Sequence, residues 1–71
     1  MTQRELWEKA AECTRAMEAT RDPKMREMLT HLRTLWINLA NDSEFLGASA
    51  LIEQIATVGQ IHAYLTRPAA K

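Results

Sequence analysis

Two prolines, Pro23 and Pro68, and two glycines, Gly47 and Gly59, are the only strong backbone breakers in 71 residues. Proline cannot sit inside a helix without losing a hydrogen bond, and glycine weakens helix and strand interiors alike. The stretches between these residues are long enough for helices of several turns. None of them alternates apolar and polar residues as a half-buried strand would. The chain is therefore expected to be all-α. At this length it forms a single small helical domain spanning 1–71, with helices over about 3–20, 23–46 and 49–66.

The first segment opens with Thr2 and, three residues on, Glu5, the spacing of a capping box. Leu6, Ala10, Cys13 and Met17 then recur three and four apart as one apolar stripe, broadened by Trp7 and Ala11. Arg4–Glu8, Glu5–Lys9 and Glu12–Arg15 are spaced to pair along the helix surface. The second segment begins at Asp22-Pro23, an N-cap followed by proline at the first helical position. Met25, Leu29, Leu32, Trp36 and Leu39 follow a 4-3-4-3 spacing suited to a neighbouring helix. This spacing predicts a long helix reaching Leu46, with Gly47 as a left-handed C′ residue and weakening near residues 41–43. The third segment starts at Ser49 as N-cap and stops before Pro68. The short link around residues 20–23 makes the first two helices an antiparallel hairpin. Met17, Met25 and Met28 gather at its closed end, and Trp7 and Trp36 sit on the internal stripe towards its open end.

The hairpin residues carry a recognisable pattern: Ala11-Glu12-Cys13, Ala19-Thr20-Arg21-Asp22-Pro23, Arg26, Leu29, Leu32, Trp36 and Leu39-Ala40. It resembles a group of short helical proteins of alphaproteobacteria, rhizobial relatives in particular, over roughly residues 10–40. The resemblance implies the hairpin and a bacterial cytoplasmic setting. The group brings no assigned activity, so no catalytic or binding role is carried over. Arg33 departs from the group's usual alanine, and residues 47–71 lie outside the pattern.

Nine basic and nine acidic residues leave no overall field for nucleic acid, and the last helix, which would be the reading helix of a helix-turn-helix, contains no Lys or Arg. A lone cysteine suits a reducing compartment. The N-terminal Met1-Thr2-Gln3-Arg4-Glu5 runs straight into charge, unlike a signal peptide. A cytoplasmic protein is expected. Glu27 and His31 share a helix face, and Cys13 and His62 could join them only by tertiary convergence, without a zinc-type motif. The sequence has no phosphate loop and no nucleophile elbow. The expectation is a non-enzyme with no catalytic residue, no cofactor and no metal, in which Cys13 is a buried thiol and His62 a core or interface histidine.

Charge is distributed unevenly. Residues 1–33 hold seven basic and six acidic side chains, whereas residues 34–66 hold only Asp42, Glu44 and Glu53. Leu51, Ile52, Ile55, Val58, Gly59, Ile61, His62 and Leu65 cover more than half the circumference of the third helix. Gly59 and Ala63, with Ala56 nearby, add a small-residue strip. A helix on the outside of a hairpin needs one apolar stripe, and this one has a surplus. These residues are the candidate interface, for a homodimer first and for another protein second. A small-ligand or metal-binding bundle is the alternative reading, and peripheral membrane association through the same helix is the next.

Overall fold

A computed structural model describes residues 2–67. Three helices follow one another: α1 (Gln3–Ala19), α2 (Pro23–Asp42) and α3 (Ala48–Thr66). α1 begins where the capping box placed it. The Glu5 amide donates to Thr2 Oγ1 at 3.2 Å and the Thr2 amide donates to Glu5 Oε1 at 2.9 Å. Those hydrogen bonds to Thr2 hold the Glu5 carboxyl below its ordinary range.

At the bend, Asp22 caps α2 by accepting the Lys24 amide at 3.0 Å, with Pro23 at the first helical position. Arg26 reaches back across the bend and donates from Nε to the Met17 carbonyl at 3.3 Å. That carbonyl belongs to the last turn of α1, where the helix cannot satisfy its own acceptors and a cation is favoured. Arg26 thus ties the two helices at their shared end.

α2 ends at Asp42, four residues short of the expected Leu46. The Ala40 carbonyl takes the Ser43 hydroxyl at 2.9 Å and the Gln3 side-chain amide at 2.8 Å. The Phe45 and Leu46 amides both turn back onto the Asp42 carbonyl, at 2.9 and 3.1 Å. The weak point at residues 41–43 is therefore a true terminus. Gly47 is not left-handed. Its φ is −65° and it is the N-cap of α3, so Ser49 lies inside that helix. A Gly47 cap supplies no side-chain acceptor, and a Cβ built there meets nothing within 4 Å. Gly47→Asp should therefore stabilise the protein by about 0.5–1 kcal/mol, by capping α3 and stiffening the unfolded chain. A urea midpoint unchanged or lowered by this substitution would contradict the cap geometry.

The core lies between the helices of the hairpin and is closed on one side by α3. Leu6, Ala10 and Cys13 of α1 meet Leu29, Leu32, Trp36, Leu39 and Ala40 of α2. α3 packs on α2 of its own hairpin, contributing Val58 and His62, with Leu51, Ile55 and Leu65 half-buried around them. Two grooves give its direction: residues 61–65 lie beside residues 28–35, and Ile55 lies beside Trp36. α3 therefore runs antiparallel to α2. Trp7 departs from expectation, standing 43% exposed on the flank of α1 rather than on the internal stripe. Of the helix-surface pairs, Arg4–Glu8 forms at 3.5 Å, while Glu12 turns from Arg15 to Lys9 at 3.7 Å and to His62. Among the described residues, no helix is long and apolar enough to cross a membrane.

Candidate functional site

The polar centre of the molecule is His62, only 7% exposed, set against all three helices. Trp36 Nε1 donates to His62 Nδ1 at 3.0 Å, and the two rings meet edge to face at 73°. An indole N–H is a donor only, so Nδ1 must be the unprotonated nitrogen. The proton of the neutral ring then sits on Nε2 and points to Glu12 Oε1, 3.1 Å away. Cys13 Sγ lies 3.8 Å from the same Nδ1. Cysteine, histidine and a carboxylate thus stand in line, in the order a nucleophilic triad would take.

The details oppose that use. The lone pair a general base needs is already held by Trp36, at a shorter distance than the thiol. Cys13 is fully buried. Burial, with Glu12 adding to it, pushes its thiol pKa up, whereas a reactive cysteine needs the opposite. Raising an acid's pKa in the fold makes the chain bind its proton longer than the unfolded state does. Stability associated with Cys13 is therefore complete below the ordinary thiol range and declines as pH rises through it. In native protein Cys13 should resist iodoacetamide at pH 8 and be alkylated at least about a hundredfold faster in urea. Rapid native labelling, read by mass spectrometry, would mean that the thiol is open to solvent. The arrangement acts as a polar clasp joining α3 to both helices of the hairpin.

The other candidates are dispersed. Glu27 and His31 are both exposed, and no group of three or more potential metal-ligating His, Cys, Asp or Glu side chains occurs among the described residues. The proposed interface residues divide by position. Val58 and His62 are turned inwards, Leu51, Ile55, Gly59 and Leu65 are half-buried, and Ile52 and Ile61 face solvent. Ile52 and Ile61 are nine residues apart and so lie on opposite sides of α3. Gly59 has open space beside it and, with Ala63, lines a hollow shared with Lys9 of α1 and Trp36 of α2, while Ala56 is exposed.

Sequence reasoning missed two features. One is the pair of partners, Trp36 and Glu12, that His62 finds. The other is a surface groove between α2 and α3, of about 480 Å³, lined by Met28, His31, Leu32, Leu35, Gln60, Ile61, Tyr64 and Leu65. No Lys, Arg, Asp or Glu lines it. Met28, Leu35 and Ile61 are each about two-fifths exposed, and Tyr64 is 61% exposed. The signal for α3 was present in its surplus of apolar residues. The contribution of Met28 and Leu35 required the register between the helices. Comparison with protein-family models, curated proteins and solved structures finds no match for this chain.

Proposed function

We propose that this protein is a self-assembly module whose α2–α3 groove receives a second copy of the same chain. The observation that carries the reading is the groove itself: four large, exposed apolar side chains, contiguous and without a charged residue among them. Scattered apolar residues on a surface need no explanation, but a contiguous set around a groove marks an interaction surface. The partner surface has to be as free of charge as the groove, because an ion brought against it would lose its water without gaining a counter-ion. The lining of the chain's own α2–α3 groove meets that requirement, with Arg67 held over the Tyr64 ring, and a two-fold dimer presents the same patch from both sides. Size argues the same way. A domain this small draws only about 3–5 kcal/mol from its core, and with a single cysteine and no metal-ligating cluster among the described residues, association is a further means of adding to it.

Part of the expected interface is redistributed in this proposal. Ile61 and Leu65 remain within it, joined by Met28, Leu35 and Tyr64, while Val58 and His62 serve the chain's own core. Sedimentation equilibrium between about 1 and 300 μM, a range that spans transient and stable dimers, tests the assembly. Mass should rise with concentration, and Leu35→Ser with Ile61→Ser should shift the dissociation constant upward by at least about tenfold. A wild-type protein that stays monomeric throughout would sink the proposal.

A further inference from the structure

A second groove lies between α1 and α2 and differs chemically from the first. It is lined by Trp7, Ala10, Ala11, Thr14 and Arg15 of α1 and by Arg33 and Ile37 of α2, with a volume of about 370 Å³. No residue of α3 lines it. Its floor is low because Ala10 and Ala11 are small, and Trp7, nearly half exposed, forms a wall. Two arginines, one from each helix, line the same space, and no Asp or Glu does.

Arg4 meets Glu8, Lys9 meets Glu12, Arg26 donates to a helix-end carbonyl and Arg67 lies over the Tyr64 ring. Arg15 and Arg33, like Arg21 and Lys24 at the bend, have no salt-bridge partner among the described residues, although α1 carries Glu12 and Glu18 one turn to either side of Arg15. In a chain whose charges balance overall, the lining of this groove holds two arginines and a tryptophan and no acidic residue.

We infer that the α1–α2 groove is a binding site for a small flat aromatic anion, a ring system carrying one carboxylate or phosphate group. The ring would rest on the Ala10–Ala11 floor and against the Trp7 indole, where offset or edge-on aromatic contact is favourable. The anionic group would lie between Arg15 and Arg33, whose planar donor arrays match carboxylate and phosphate oxygens. The volume falls within the range of about 300–1,000 Å³ usual for small-molecule sites. An apolar ligand without charge would prefer the α2–α3 groove, whose lining holds no cation, although Arg67 lies over the ring of Tyr64 there. An anion without a ring would leave the floor and the indole unused.

This inference is independent of self-assembly through the other groove, and one titration separates them. The probe is 2-naphthoate, with neutral 2-naphthamide as its near-isostere, followed by amide and indole N–H shifts in the ¹⁵N spectrum. Saturable shifts of the Trp7 indole and of the Ala11 and Thr14 amides are expected, with a dissociation constant below about 1 mM. The amide analogue should bind at least about tenfold more weakly, as should the naphthoate to Arg33→Gln or Arg15→Gln, through loss of a charge-assisted contact. Ala11→Leu, which fills the floor at an exposed position, should also abolish the shifts, whereas Leu35→Ser should leave them in place. Absence of saturation up to about 5 mM would overturn the inference. So would affinity unchanged in both arginine variants, equal binding of the neutral analogue, or shifts centred on Ile61 and Leu65. Helical circular dichroism of each variant confirms that it is folded before it is titrated.

Discussion

Trp36→Ala should abolish cooperative folding. Trp36 is the largest fully buried side chain, touched by the hairpin on one side and by α3 on the other. Truncating a buried tryptophan to alanine costs about 3–5 kcal/mol. The entire core of a domain this size contributes about as much. The substitution also leaves His62 Nδ1 without the donor it faces at 3.0 Å. Helical circular dichroism at 25 °C should fall steeply and the thermal transition should broaden or vanish. Trp36→Phe separates the two losses, keeping most of the ring volume while removing the N–H. It should remain folded, with stability reduced by about 1–3 kcal/mol. An alanine variant melting within a few degrees of wild type would show that the core is centred elsewhere.

His62→Leu has the next largest expected effect, and its direction separates packing from hydrogen bonding. Leucine fills the position with apolar volume but leaves the buried Trp36 N–H unpaired, a loss of about 1–3 kcal/mol. His62→Gln offers an amide oxygen to Trp36 and an amide N–H to Glu12, the same donor and acceptor pattern as the neutral ring. Glutamine should therefore be the milder substitution although it is the more polar. Urea midpoints rank the variants, and the Trp36 indole proton gives a direct reading: its exchange with solvent should quicken in the leucine variant and stay slow in the glutamine variant. Leucine proving more stable than glutamine would mean that the hydrogen bond adds nothing to the fold.

The sequence made the local parts of this structure legible. Thr2 and Glu5 mark the start of α1, Asp22-Pro23 marks the start of α2, and the spacing of Leu29, Leu32, Trp36 and Leu39 marks the buried face. In each case the deciding interactions lie within a few residues of one another. The end of α2 was not legible in the same way, because two outcomes compete there with similar local support. The Ala40 carbonyl is claimed partly by Gln3, thirty-seven positions earlier in the chain. Gly47 can end a helix or begin one, and only its φ of −65° in the folded chain chooses between them. The clasp was half legible. A buried tryptophan requires an acceptor, and His62 was the titratable side chain on the apolar side of α3. The sequence could not bring Glu12 to its other nitrogen, since that depends on how α3 is seated. Both grooves depend on the same tertiary geometry, which is why Arg15 and Arg33 read along the chain as ordinary surface charge.

The clasp has a consequence for the alignment of α3 as well as for its attachment. Leu51, Ile55, Val58 and Leu65 form a nearly uniform aliphatic strip, and such a strip would fit α2 almost as well after sliding by one turn, about 5.4 Å. The indole N–H of Trp36 does not tolerate that displacement. A slide onto Val58 or Leu65 would present it with no acceptor at all, and one onto Thr66 with a hydroxyl engaged at the His62 carbonyl and with no link on to Glu12. One polar pair thus singles out one alignment among several that oil-like contacts alone would leave close in energy. Fixing that alignment also fixes which side chains of α3 stand beside Met28 and Leu35, so the outer groove inherits its shape from a hydrogen bond buried beneath it.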